Sequence, residues 1–271
     1  MKNLKAAAFD LDDTLLRDDL TISSYTVDVF RRLSAAGFIL VAASGRTMMS
    51  MQPFVEQLGC ISLCVACNGA LVYHPVSREV LHREQLSVEL CHEIARFGNA
   101  HHCYAQTYSD DRFFFNEYSE YSRRYAAASM LPGEYVGDLE AYIREPRTKI
   151  LMMAEPEKIA DMLAEARTVF AGRASVTCSK AWFLEFNPLR ATKGIALQKC
   201  ADFLGLSLSD FAAFGDSLND LPMLQAAGLG IAVANARPEV RAACADVCPS
   251  NEEDGVARYL ASNVLCEEAV P

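Results

Sequence analysis

The sequence lacks long apolar runs, basic clusters, internal repeats and low-complexity tracts, and it holds a single tryptophan, Trp182. No stretch approaches the roughly 20 apolar residues of a membrane-spanning helix, so no membrane partner is expected. The opening MKNLKAAAFD carries two lysines but too short an apolar segment for a secretory leader, and a cytoplasmic protein is the simplest expectation. Lys and Arg number 25 against 35 Asp and Glu, a formal net charge of −10. Such a balance, with no basic run, argues against binding driven by a nucleic-acid backbone or an anionic membrane. It leaves room for a small phosphorylated ligand, because one metal ion or lysine reverses the field inside a site.

Cysteine is plentiful, at ten residues, yet the pattern is thin. Cys64 and Cys67 have the spacing of a redox or zinc pair, but no second pair lies nearby, and His101, His102 and Cys103 also lack a partner pattern. A 271-residue chain that is 51% hydrophobic has ample material for a core without disulfide staples. These thiols read as buried and reduced, since free cysteine packs as a small hydrophobe.

Two periodicities alternate at both ends of the chain. KAAAFD and FILVAAS (38–44) are short continuous apolar runs, as in strands covered on both faces. Between them Ser23 or Ser24 can cap a helix with Val27, Phe30 and Leu33 on one face and Gly37 as its stop. A second helix over 47–58 and the run ISLCVAC complete a β-α-β-α-β series, the pattern of a parallel doubly wound sheet. Later, Thr192 can cap a helix stopped by Gly205, followed by the strand DFAAFGD, a helix over 219–227, the strand LGIAVA, and helices over 237–243 and 253–263. The middle differs: HCYAQTYS, RFFFNEY, RTKILMMAE, SVTCS and AWFLEFNP look antiparallel and separate helices near 88–98, 119–128 and 156–169. The fold class is therefore α/β, a doubly wound parallel-sheet core over 1–81 and 188–271 with an inserted α+β domain over 82–187. Phe113, Phe114 and Phe115 in that insertion read as core.

In open parallel sheets, ligands bind beyond the carboxyl ends of the strands. Four polar groups fall at predicted strand ends or helix starts: Asp10 and Asp12; Ser44, Gly45 and Arg46; Lys193 and Gly194; and GDSLND at 215–220, with Asp216, Asn219 and Asp220. The two-residue spacing of Asp10 and Asp12 puts both on one side of an extended chain. Facing carboxylates repel unless a cation sits between them, and Mg²⁺ suits an oxygen-rich site that also takes a substrate phosphate.

The ordered set FDLDDTL, AASGR, TKG and GDSLND resembles the haloacid dehalogenase superfamily of aspartate-nucleophile phosphotransferases. The long insertion between the second and third motifs, with CNGA at 67–70 and VANA, resembles its Cof-type branch, which carries an α/β cap there. The resemblance implies a HAD-like Rossmannoid core and a Mg²⁺-dependent phosphatase of small phosphorylated metabolites, sugar phosphates first. The alternatives are a phosphosugar mutase or a non-catalytic phosphometabolite sensor. It further implies that Asp10 is the nucleophile and Asp12 the acid/base. Asp10, the backbone carbonyl of Asp12, and Asp216 would hold the metal. Ser44, Gly45, Arg46, Lys193 and Asn219 would bind phosphate or substrate, with Asp220 anchoring Lys193. Two positions depart from the pattern, Asp13 and Arg190, where the family usually has glycine. Asp13 is expected to point outward, and Arg190 either to reach an anionic group or to lie on the surface.

Overall fold

The computed structural model describes residues 4–109, 112–129 and 131–266. By contacts the chain divides into two compact units: Met1–Gly45, Met51–His82 and Thr192–Pro271 form the first, Arg46–Ser50 and Arg83–Ala191 the second. The expected insertion, 82–187, overlaps the second unit over nearly its whole length. The second unit additionally takes in Arg46–Ser50.

The first unit is built on strands β1 (Ala6–Phe9), β2 (Ile39–Ala43), β3 (Leu63–Ala66), β4 (Leu71–Tyr73) and β5 (Val80–Arg83), with helices α1 (Ser24–Ala35) and α2 (Met48–Leu58) between them, except that Arg83 and the part of α2 before Met51 group with the second unit. The second holds α3 (Val88–Ala100), β6 (Tyr104–Tyr108), β7 (Phe113–Phe115), α4 (Glu120–Ser129), β8 (Gly133–Tyr135), α5 (Leu139–Tyr142), β9 (Ile150–Met153), α6 (Pro156–Val169), β10 (Ala174–Thr177) and β11 (Phe183–Pro188). The chain then returns to the first unit with α7 (Lys193–Leu204), β12 (Phe211–Gly215), α8 (Leu221–Ala226), β13 (Leu229–Val233), α9 (Pro238–Ala243), β14 (Asp246–Cys248) and α10 (Gly255–Asn263).

The first sheet runs β14-β13-β12-β1-β2-β3-β4-β5. It is parallel from β14 to β3 and turns antiparallel at β4. Its centre is alanine-rich: Ala7 pairs with Ala212 on one side and Leu40 on the other, and Ala8 with Ala213 and Val41. All four β1 side chains are fully buried, which explains the unbroken apolar run. From β1 the chain builds outward to β2 and β3, then comes back to lay β12 on the other side of β1. That reversal is a topological switch point, where such sheets leave a crevice at their carboxyl edge.

The helices follow their sequence signals. Ser23 caps α1 by accepting from the Thr26 amide, Thr192 caps α7 by accepting from the Ile195 amide, and Gly205 ends α7 in the left-handed conformation.

The second sheet runs β10-β11-β9-β6-β7-β8, antiparallel except for the β7–β8 pair. Alternate residues such as Ile150, Met152, Leu184 and Phe186 pack with Ile94 and Phe97 of α3 and Ile159 and Met162 of α6. The intervening residues, among them Tyr104, Tyr108, Phe113, Phe115, Leu151 and Met153, form a second cluster with Tyr121 and Tyr125 of α4. The three phenylalanines are buried, as expected.

The turn between β3 and β4 locks onto the start of α7. Cys67 and Asn68 both have positive φ there, and Gly69 sits at φ +104 where a Cβ would lie 2.3 Å from the Thr192 carbonyl oxygen. Gly69→Ala therefore strains the backbone and displaces the cap of α7. The expected cost is about 2–4 kcal/mol of stability, read as a lowered unfolding midpoint; a wild-type midpoint would show that the turn relaxes.

Candidate functional site

Three adjacent strand ends supply the polar groups. Asp10 follows β1 and extends the ladder by donating its amide to the Phe214 carbonyl. Ser44 follows β2, fully buried, with its amide on the Val65 carbonyl and its own carbonyl accepting from Asn68. Asp216 follows β12. Lys193, the first residue of α7, reaches Asp10 and is fully buried.

A lysine in the first turn of a helix opposes the helix dipole, and a buried one forfeits its hydration. Two carboxylates compensate: Lys193 Nζ donates to Asp10 Oδ1 at 2.5 Å and to Asp220 Oδ1 at 2.6 Å. The other oxygen of Asp220 accepts the backbone amides of Asp216 (3.1 Å) and Ser217 (3.0 Å). Both oxygens of Asp220 are thus engaged, and although the residue stands at the cap position of α8 its side chain does not cap that helix. Gly215 permits the approach, since a Cβ there would lie 2.5 Å from the Asp220 Cβ. Asp216 accepts from Thr14 Oγ1 at 3.3 Å and from Ser217 Oγ at 2.7 Å.

Asp10, Asp216 and Asp220 each offer an oxygen within 4.8 Å of the others, the one group of three or more such ligands among the described residues. With all groups ionised, three carboxylates against one ammonium leave an excess of negative charge. Burial is the main reason that Asp10 holds its proton well above the ordinary carboxylate range; Lys193 opposes this, while Asp220, Asp12 and Asp216 reinforce it. Burial likewise pushes Asp216 up to about 6, eased by the Ser217 hydrogen bond and aggravated by Asp220 and Asp13. Burial alone would lower Lys193, but Asp10 and Asp220 outweigh it and hold the ammonium protonated. Hard oxygen donors with surplus negative charge fit a divalent cation.

One expectation is corrected. Asp10 and Asp12 do not alternate along a strand, because β1 ends at Phe9. The Leu11 carbonyl accepts the amides of Thr14, Leu15 and Leu16, so Asp12 lies in a tight turn, half-buried. Asp13 adopts φ 58, the left-handed conformation that favours glycine and that aspartate tolerates better than most residues. It is exposed, yet its charge still reaches Asp216. Asn219 is exposed and donates to Asn68 Oδ1 at 3.0 Å, and a Cβ on Gly45 would meet the same oxygen at 2.9 Å. Arg46 groups with the second unit and donates to Ser50 Oγ at 3.2 Å. Arg190 is largely exposed, 3.4 Å from Glu84.

Sequence reading missed the residues that hold the turn after β1. Asn235 Nδ2 donates to the Asp13 carbonyl at 2.7 Å, and its Oδ1 accepts the Asn251 amide at 3.1 Å. Asn251 Nδ2 in turn donates to the Leu16 carbonyl at 3.0 Å. VANA was the one available signal, since it contains Asn235. Cys64 and Cys67 are buried thiols, Cys60 is half-buried, and burial pushes Cys64 up to about 12.

A doubly wound sheet with an acidic cluster and a buried lysine at its switch point defines an α/β enzyme core. The chain matches the haloacid dehalogenase-like hydrolase family over residues 7–260, and it belongs to that family, in its Cof-type branch. It is 31% identical over 264 residues to 5-amino-6-(5-phospho-D-ribitylamino)uracil phosphatase YitU of Bacillus subtilis (strain 168), covering 93% of this chain and 95% of the relative. It is 26% identical over 277 residues to pyridoxal phosphate phosphatase YbhA of Escherichia coli (strain K12), covering 96% and 99%. A crystal structure of a haloacid dehalogenase-like hydrolase from Bacteroides thetaiotaomicron superposes with a TM-score of 0.88 at 26% identity, covering 95% and 98%.

The raised Asp216 pKa fixes a sign. Its folded value lies above the unfolded one, so the metal-free fold binds that proton more tightly and loses stability as pH climbs from about 4 through about 6. Asp216→Asn, a neutral stand-in for the protonated acid, is expected to stabilise the metal-free protein at pH 7.5, by at most about 3 kcal/mol, and little at pH 4. Thermal unfolding in EDTA reads this directly, and equal effects at both pH values would refute it.

Proposed function

We propose that the protein is a Mg²⁺-dependent phosphatase of small phosphorylated metabolites, with sugar phosphates as the leading class and an aspartyl-phosphate on Asp10 as the intermediate. The buried Lys193 bridge between Asp10 and Asp220, beside Asp216, is the observation that carries this reading. It fixes a carboxylate against a permanent positive charge, as nucleophilic attack on a phosphoryl group requires.

Asp10, the Asp12 carbonyl and Asp216 would hold the metal, with Asp220 positioning Lys193. When bound, Mg²⁺ supplies positive charge that offsets the phosphoryl oxygens and the clustered carboxylates. Asp10 attacks phosphorus as the ester P–O bond breaks, and Asp12 donates its proton to the leaving oxygen. Asp12 then takes a proton from the water that attacks the aspartyl-phosphate, releasing inorganic phosphate and restoring Asp10. Asp12 sits in a half-buried turn rather than a strand, which suits a group that must meet both leaving group and water. Lys193 balances the charge, and Ser44, Gly45 and Asn219 hold the phosphate oxygens, with Arg46 on the substrate side. The inserted domain would select the leaving group.

The curated relatives are named for a phosphorylated ribitylamino-uracil and for pyridoxal phosphate, so both belong beside sugar phosphates in a substrate panel. No described helix is long and apolar enough to cross a membrane. The free thiols fit a reducing compartment, and a cytoplasmic location is part of the proposal.

Phosphate release across such a panel should require Mg²⁺, stop in EDTA, and fall by about 10³-fold or more in Asp10→Asn, since removing a covalent nucleophile leaves only binding and charge stabilisation. Isomer formation from a hexose phosphate without phosphate release would replace the phosphatase with a mutase. Binding without turnover would replace it with a sensor.

A further inference from the structure

The turn after β1 depends on residues far along the chain. Three amides, those of Thr14, Leu15 and Leu16, converge on the Leu11 carbonyl at 3.3, 3.0 and 2.8 Å. A carbonyl oxygen has two lone pairs, so three donors cannot all be well served. The longest of the three bonds comes from Thr14, and so from the peptide that joins Asp13 to Thr14. That peptide follows a residue in the left-handed conformation, Asp13 at φ 58, which its surroundings must hold in place.

Asn235, just beyond β13, grips the other side of the same peptide. Its Nδ2 donates to the Asp13 carbonyl at 2.7 Å, and its Oδ1 accepts the Asn251 amide at 3.1 Å. These two contacts leave no choice of amide orientation, since a carbonyl needs a donor and an N–H needs an acceptor. Asn251 is 3% exposed, and its Nδ2 donates to the Leu16 carbonyl at 3.0 Å and to Asp18 Oδ1 at 3.1 Å. From the same loop, Glu252 Oε1 accepts the Asp18 amide at 2.7 Å, and Asp254 pairs with Arg17 at 3.1 Å. The contacts of this loop reach the chain at Leu16, Arg17 and Asp18. Asn235 attaches next to Asp12.

We propose that Asn235 is a positioning residue for Asp12, a deepening that rests on the phosphatase reading. Asp12 lies between two fixed points of the backbone: Asp10, whose amide is on the Phe214 carbonyl, and the Asp13–Thr14 peptide, whose carbonyl is on Asn235. Without the second point that peptide can rotate, and Asp12 loses its direction while Asp10, Lys193 and Asp220 keep their mutual contacts. The step that suffers is proton delivery. The Asp12 carboxyl gives its proton to the ester oxygen as the P–O bond breaks, so that the group leaves as an alcohol and Asp12 remains as a carboxylate. An oxygen that departs readily as an anion needs that proton little, and a strongly basic one needs it most. Loss of Asn235 therefore penalises esters in proportion to the basicity of their leaving oxygen.

The test measures kcat/KM at saturating Mg²⁺ for p-nitrophenyl phosphate and phenyl phosphate, two esters of one ring that differ in the basicity of the departing oxygen. Asn235 is exposed, so its replacement spares the core. Asn235→Ala should lose about tenfold more on phenyl phosphate than on p-nitrophenyl phosphate, a part of what general acid catalysis supplies. Asn235→Asp keeps the acceptor for the Asn251 amide but has no N–H for the Asp13 carbonyl, and it serves if the alanine variant does not fold. A general loosening of the site would lower both esters alike, so equal losses, or none, overturn the proposal. Turnover by the wild type and its loss in Asp10→Asn test the hydrolase reading separately. If the wild type hydrolyses neither ester, hydrogen exchange at the amides of Thr14, Leu15 and Leu16 decides. Exchange about tenfold faster in Asn235→Ala supports the brace, and unchanged protection refutes it.

Discussion

Lys193 is the constraint around which the first unit is organised. A lysine with no solvent exposure, placed where a helix dipole is least favourable to it, cannot persist without fixed negative partners. Asp10 and Asp220 provide them, from residues separated by 183 and 27 positions in the chain. The lysine, in turn, is what lets carboxylates gather at the ends of buried strands. Its single charge is insufficient for the whole cluster, which is why burial still raises both Asp10 and Asp216. The same imbalance that burdens the bare fold makes the site receptive to a divalent cation.

The scaffold contributes geometry rather than chemistry. The switch point at β1 brings three strand ends side by side, on alanine-rich strands that are buried behind them. Glycine appears where two backbones must nearly touch. Gly69 lies against the cap of α7, and Gly215 makes room for Asp220. Asn235 and Asn251 bind the turn that presents Asp12 and Asp13 through their side-chain amides, in place of a regular ladder. Asp13 takes the left-handed form that favours glycine, and its charge bears on Asp216.

The second unit follows a different economy. Its sheet is covered by apolar residues on both faces, so each polar side chain within it needs a partner. Gln106, between two tyrosine hydroxyls, has them. Glu185 and Asn187 are only partly satisfied, on a face whose cluster is mostly aromatic and aliphatic.

Much of this was legible in the sequence. Continuous apolar runs gave the buried parallel strands, and Ser23, Thr192 and Gly205 marked helix ends where they occur, because capping is chemistry between neighbours in the chain. The candidate groups Asp10, Ser44, Lys193 and GDSLND were visible as polar residues at strand ends or, for Lys193, at a helix start, and the motif order indicated the family. The sequence by itself determined the buried parallel strands at the centre of the first sheet and the capped helices beside them, since these follow from local periodicity and capping, whereas the short elements β4, β5, β8, β14 and α5 did not stand out in it. Only the tertiary structure decided that Asp12 leaves the strand for a turn, that Asp220 serves Lys193 instead of capping α8, and that Asn235 and Asn251 hold the turn after β1. It alone left Glu185 and Asn187 buried with acceptors to spare. Each of these depends on contacts between residues distant in the chain or on competition among several donors for one acceptor, and no local pattern encodes the outcome of that competition.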